Sequence, residues 1–498
     1  MNVNPITRLD YPDPDVIRVE DTYYMVSTTM HFMPGCEILQ SFDLVHWEHV
    51  TYVYETLDHT DAQQLKSGQN IYGQGMWAAS LRYHEGRFYI CFVANDTRKT
   101  YLYTSEKIDG PWKKQLIEGF YHDGSLLFDE DGRNYIVYGN DEIWITELNE
   151  DLTAPKKDGL HRLLVSDHKN PKLGYEGSHI QKINGYYYIF LIHSLRDRWM
   201  RTEACFYSDS LEGEFTGGDV LCDDRGYCGQ GVAQGGIVDT PDGKWYAMLF
   251  QDSGAVGRIP ILLPVTWKDH FPVFGQNGHV PEEIEVHSTR PGYIYQPLVG
   301  SDDFCNGLLP RWQFNHDPDP QYYHLDALQG TYTITTREVC TELTQAVNTL
   351  TQRMSYPSCA AEVTVDASAL KDGDVAGLCA FQGCYAAVGI TKHHGKYEVL
   401  MLDKKEDGIL DMTEGTVVES HQMDFRLEAD FCNMKDEARC YYRVNKGDWL
   451  PIGTVHKLYF KLDHFTGCRF GLFCYAAEET GGSACFRDFK YYDVDEIS

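Results

Sequence analysis

One pattern occurs five times in the first half of the chain, and it limits the fold more than any other feature of the sequence. Each copy has a small or polar residue, alternating apolar positions, a turn and an aromatic-rich apolar run. The copies read DVIRVEDTYYMVS from Asp15, SLRYHEGRFYICF from Ser80, SLLFDEDGRNYIVY from Ser125, SHIQKINGYYYIFL from Ser178 and GIVDTPDGKWYAML from Gly236. Strict alternation over so few residues, broken by a turn, is the signature of two short strands joined as a hairpin. Asp131-Gly132, Asn184-Gly185 and Asp242-Gly243 supply tight-turn chemistry, and the first copy is expected to turn at Asp21-Thr22. Further strand-like stretches, such as ILQSFDLVHWE, LYTSEKIDGPWKK and ILLPVTWKD, follow several copies and give three to four strands per unit. Starts 65, 45, 53 and 58 residues apart suit propeller blades with variable loops. The expected fold is therefore all-β and opens with a five-bladed β-propeller; a β-sandwich with coincidental hairpins is the competing reading, and sandwich strands rarely repeat so closely.

The repeats stop around Pro297 to Asp303, and a chain of 498 residues exceeds what one core usually supports. The expected domains are 1–297, the propeller, and 303–498, an all-β second domain of β-sandwich or jelly-roll type with strands such as CAAEVTVDASAL. The second domain has no recognisable catalytic set; it is expected to pack against the propeller and wall the pocket or restrict access to it.

Aligning the repeats isolates one position. Two residues before each copy stand Asp13, Ala78, Asp123, Glu176 and Gln234. The innermost strands of a propeller all begin at one end of the central channel, so these five positions converge there. Three of them are acidic. Crowded carboxylates repel and lose hydration, which drives their pKa values apart, and that division is what glycosidic cleavage requires. Calcium ligation and turn capping are the structural alternatives for any single Asp. The string DPDP recurs at Asp317 to Pro320 outside the repeats, where it is expected to be only a surface loop.

Composition narrows the substrate. Lys plus Arg is 43 against Asp plus Glu 74, a formal charge of -31, which repels nucleic acid and anionic membrane surfaces and leaves a neutral substrate. The 15 cysteines include no CxxC pair and are expected to be free core thiols. With no basic, apolar leader and no span long enough for a bilayer, a cytoplasmic location is expected.

YPDPDVIRVEDTYYMVSTT, GMWAASLRYHEGRFY, HDGSLLFDEDG, YEGSHIQKINGYYY and VGRIPILLPVTW occur in that order, and on them the sequence resembles glycoside hydrolase family 43 along essentially its whole length. The resemblance implies an inverting mechanism with Asp13 as general base, Glu176 as general acid and Asp123 as the carboxylate that raises and orients the acid, with Asp15 a structural neighbour. It also implies Arg258 beside the site, Trp77 and Phe32 as sugar-subsite walls, and Gln234 at a substrate-facing channel position. The chain departs from the family's WAP at Trp77-Ala78-Ala79, and Gln234 replaces a histidine that in relatives binds a hydrated calcium. No cofactor is required; a structural channel calcium is left open. GVAQGGIVDTPDGKWYAMLFQDSGAVGRIPILLPVTW and LTQRMSYPSCAAEVTVDAS resemble the arabinofuranosidase-leaning branch. The expected activity is exo-acting release of terminal α-L-arabinofuranosyl groups from hemicellulose-derived oligosaccharides. A β-xylosidase, or an enzyme with both activities, is the close alternative; a non-catalytic carbohydrate-binding propeller is the reading from a different class.

Overall fold

Each repeat becomes the inner hairpin of a four-stranded antiparallel blade. The inner strands are Asp15–Val19, Met76–His84, Ser125–Phe128, Glu176–Ile183 and Ala233–Asp239, and the blades end with Glu48–Tyr54, Lys113–Ile117, His161–Ser166, Thr216–Leu221 and Phe271–Phe274. The computed structural model describes residues 3–413 and 415–493. Two-residue turns with positive φ at both positions occur at Glu85-Gly86 and Asn184-Gly185. The first hairpin turns at Glu20-Asp21, one residue earlier than expected, because Val19 pairs directly with Thr22. Asp131-Gly132 and Asp242-Gly243 lie in longer loops, between the Phe128–Asn134 and Asp239–Trp245 pairs.

The ring is closed by the chain's own beginning. In blade 5 the last strand covers only the Val265–Lys268 part of strand Arg258–Lys268. The bare part is covered by residues 4–11: Ile6 N donates to Pro260 O (2.8 Å), Tyr11 N to Arg258 O (3.1 Å), and the Asn4 side chain exchanges two bonds with Leu262. An edge that would otherwise offer unpaired backbone groups is thereby satisfied.

The second domain is a β-sandwich of a nine-stranded and a seven-stranded sheet. One strand of the larger sheet belongs to the propeller: Phe32–Met33 of blade 1 pairs with Gln313–Asn315 at the sheet's edge. Phe32 is accordingly not the open sugar-stacking wall that was expected. It is 1% exposed and packs with Leu343, Phe381 and Phe473 of the second domain, with the Arg469 guanidinium 3.5 Å over its ring. Asp317 of the second DPDP string also corrects its expectation. It is buried in the same seam, bonded to His59 (2.7 Å) and to Gln63 O (2.8 Å), and burial lifts its carboxyl to about 6.

The domains are further joined by a buried ion pair, Arg353 to Glu37 (2.8 Å). Burial alone would raise the Glu37 carboxyl, but Arg353 and His49 outweigh it and hold it at about 2. All cysteines are free; ten are buried as expected, whereas Cys222, Cys228, Cys305 and Cys432 are exposed. Removing one partner of a buried pair leaves a charge without compensation, so Arg353→Ala is expected to lose about 3–5 kcal/mol in chemical denaturation. A loss within 1 kcal/mol, about the worth of a surface pair, would show that the seam does not depend on this bond.

Candidate active site

The five aligned positions form one rung at the channel mouth. Just before three of the inner strands settle into regular pairing, the register shifts, at Trp77/Ser80, Glu176/His179 and Ala233/Gly236. Along the rung the backbone turns through positive φ, with Asp13 at 54°, Asp123 at 48°, Gly177 at 64° and Gln234 at 60°. Non-glycine residues rarely hold this conformation, and such strain gathers where side chains must be aimed. Hydrogen bonds tie the rung together. Thr28 Oγ1 donates to Asp13 Oδ2 (2.5 Å) and accepts from Ala78 N (2.9 Å); Gly177 N donates to Asp123 Oδ2 (2.9 Å); Gln234 N donates to the buried Glu203 (2.7 Å).

Arg258 Nη1 donates to Asp13 Oδ1 (2.8 Å), and its guanidinium lies 4.2 Å from the Phe465 ring and 5.2 Å from that of Phe250. Glu176 Oε2 accepts from Asn140 Nδ2 (2.7 Å). His122 Nε2 sits between the acids, 3.5 Å from Asp123 Oδ2 and 3.6 Å from Glu176 Oε2. Trp77 lies 5.5 Å from Phe465 and 6.1 Å from His122, ring to ring, and Phe465 reaches in from the second domain. Asp13, Asp123, Glu176, Arg258 and Trp77 are thus gathered at one mouth, with Gln234 on the same rung, its side chain against Gly177. Phe32 is in the domain seam. Three contributors were not singled out from the sequence: His122, Asn140 and Phe465. The first could have been found, since it adjoins Asp123 in HDGS.

Electrostatics separates these groups. Burial, with help from Glu176 and Asp13, lifts Asp123 to about 6 against the opposing pull of His122. Burial would lower His122, but Asp123 and Glu176 together carry it up to about 9. Between these values an imidazolium is held between two carboxyl groups in a poorly hydrated pocket. The arrangement can move protons on both sides of a bound sugar while excluding bulk water.

The channel below does not fit a calcium ion. Its carboxylate, Asp15, already accepts from Arg82 (2.8 Å), His179 (3.1 Å) and Leu81 N (2.7 Å). The Arg82 guanidinium reaches on to Leu126 O, Ile180 O and Ser125 Oγ, so a cation tied to the chain spans four blades where a dication would be repelled. Among the described residues, His122, Asp123 and Glu176 are the only group of three His, Cys, Asp or Glu donors close enough to share a metal, and they are the rung itself.

A buried, strained rung of acids opposed by a guanidinium and an aromatic wall defines a propeller glycosidase. Comparison with known families agrees: residues 3–272 match glycosyl hydrolases family 43, and residues 301–492 match the β-xylosidase C-terminal concanavalin A-like domain. The chain belongs to glycosyl hydrolase family 43 and is a glycoside hydrolase. A β-xylosidase of Formosa agariphila is 27% identical, over 99% of this chain and 89% of its own length. Among solved structures, a bifunctional GH43-CE protein of Bacteroides eggerthii superposes with a TM-score of 0.92 at 42% identity, covering 98% of this chain; the chain spans 63% of that protein. An engineered family 43 enzyme described as having both endo-xylanase and exo-arabinofuranosidase activity gives 0.86 at 28% identity over 99% of both chains.

The pH dependence of kcat/KM tests this electrostatic picture. Activity is expected to fall below about pH 6 as Asp123 takes up a proton. Because the His122 cation lowers Asp123, His122→Asn is expected to move that acid limb to higher pH. A limb that stays in place would remove His122 from the proton balance.

Proposed function

We propose that this chain is an exo-acting, inverting α-L-arabinofuranosidase that trims terminal arabinofuranosyl groups from xylan- or arabinan-derived oligosaccharides. The observation that carries the exo reading is the closure of the site. Asp13, Asp123 and Arg258 are buried at the channel mouth, and Trp77 and Phe465 crowd over them from two domains. Such a pocket takes a chain end more readily than the interior of a polymer.

Asp13, oriented by Arg258 and Thr28, accepts a proton from a water whose oxygen attacks the anomeric carbon. The bond to the leaving oxygen breaks as Glu176 supplies that oxygen with a proton, and the sugar departs with inverted configuration. Asp123, joined through Gly177 N to the residue next to Glu176, positions the acid. Restoring the starting state requires one proton to pass from Asp13 back to Glu176 through solvent. Arabinofuranose as the sugar is supported by the two sequence segments of the arabinofuranosidase-leaning branch and by the exo-arabinofuranosidase activity of the structural relative with 28% identity. The β-xylosidase reading draws on the Formosa relative and uses the same three acids.

The test is kcat/KM on paired nitrophenyl α-L-arabinofuranoside and β-D-xylopyranoside, with the anomer released followed by NMR. Faster arabinose release is expected, with a loss of about a hundredfold or more in Asp13→Ala. Glu176→Ala is expected to lose most on substrates with poor leaving groups. A preference for the xyloside would transfer the protein to the β-xylosidase reading, and a retained anomeric configuration would reject the base assigned to Asp13.

A further inference from the structure

We infer that Glu203 is a positioning residue: from the third strand of blade 4 it holds the backbone of Gln234 in blade 5, and through Gln234 it fixes Gly177 and the adjoining acid, Glu176. This rests on Glu176 serving as the general acid and holds for either pentose.

Strand register brings the two acids into line. Glu176 pairs with Ile192 and Ile192 with Glu203, so the three form one row across neighbouring strands of blade 4. Side chains in such a row share a face of the sheet. Blade 5 lies against that face, where Ile192 packs with Ala233 and Phe250, all fully buried. Between Ala233 and Gly236 the register of blade 5 shifts, and Gln234 has no pairing partner across the strands. Its N–H finds Glu203 Oε2 instead, 2.7 Å away across the blade boundary. A buried amide without an acceptor is costly, so this bond is what lets Gln234 keep its φ of 60°.

Glu203 has no other partner among the described residues. It is 0% exposed, forms no ion pair, and its Oε1 makes no hydrogen bond. Burial pushes its carboxyl well above the ordinary range, against the opposing pull of the Gln234 amide. An ionised group at this depth would need a cation beside it, so the acceptor is carried by a neutral acid.

The Gln234 side chain transmits the constraint. It packs on Gly177 so closely that a β-carbon there would lie 2.7 Å from Gln234 Cγ and Cδ. Gly177 gives its N–H to Asp123 Oδ2 (2.9 Å) and directly follows Glu176. Without the Glu203 acceptor the Gln234 backbone relaxes, its side chain lifts from Gly177, and Glu176 loses its fixed approach to the leaving oxygen. Misplacing a reacting group by about 1 Å can cost a hundredfold in rate, so a smaller shift here is enough to matter.

The experiment compares two kinds of substrate that carry the same pentose: glycosyl fluorides, whose leaving group departs without a proton, and oligosaccharides, whose leaving oxygen needs one. Glu203→Leu is expected to lower kcat on the oligosaccharides about tenfold with KM within about twofold, while the fluorides stay within about twofold. Glu203→Gln places an amide oxygen where the acceptor was and is expected to restore most of the loss. Glu203→Asp, one methylene short of Gln234 N, is expected to give the same split and serves where the leucine variant does not fold. An equal fall on both substrate types, or a Glu203→Gln variant as impaired as Glu203→Leu, overturns the inference. Glu176→Ala on the same substrates separates the two readings. Leaving-group dependence there with none in Glu203→Leu overturns the role of Glu203 alone, whereas none in either overturns the acid assigned to Glu176 and this inference with it.

Discussion

Much of the molecule depends on one buried carboxylate, that of Asp10. Its two oxygens accept from Arg258 N (2.8 Å) and from Gly467 N (2.7 Å), and its carbonyl accepts from Arg353 Nε (2.9 Å). Through these bonds the closing segment of the ring holds the arginine that orients Asp13, the loop that carries Phe465 and the cation that pairs with Glu37. Two glycines permit the approach. A β-carbon at Gly257 would lie 2.3 Å from the Asp10 carboxylate, and one at Gly467 would lie 2.1 Å from the Val256 carbonyl oxygen. Ring closure, domain docking and the wall of the pocket are in this way a single packed contact.

How legible the molecule was in its sequence follows from which features repeat. Local alternation and turn chemistry recur in every blade, so the blade number and the converging rung could be read by alignment, and Asp13, Asp123 and Glu176 lie together on that rung. Turn positions were less secure, because Glu20-Asp21 and Asp21-Thr22 are equally plausible to the eye and only strand register separates them. Phe32 and Asp317 lie in a seam between domains, and nothing local in HFMPG or HDPDPQ tells a residue that it will be covered by a surface made hundreds of positions away.

The same reasoning explains the unseen members of the site. Phe465 comes from a loop with no counterpart in the propeller, so no internal comparison could bring it forward. His122 was in plain view beside Asp123, but its importance lies in the charge it takes on once Asp123 and Glu176 face it. Arg82 shows the reverse case. An arginine in an otherwise ordinary inner strand becomes the positive centre of the channel, because four blades turn backbone or carboxylate oxygens toward it. The channel centre that the sequence left open to a calcium is held here by a side chain.

The way the ring is closed has a bearing on synthesis. Residues 4–11 meet their sheet partner in strand Arg258–Lys268, and Arg8 and Asp10 wait longer still, for Tyr356, Arg353 and Gly467 of the second domain. A nascent chain therefore carries its first segment unpaired while four blades and most of the fifth emerge, and such long-range closure is the slow part of assembly. The catalytic centre joins Asp13 of the propeller to Phe465 of the second domain, so its wall is complete only once both domains have folded.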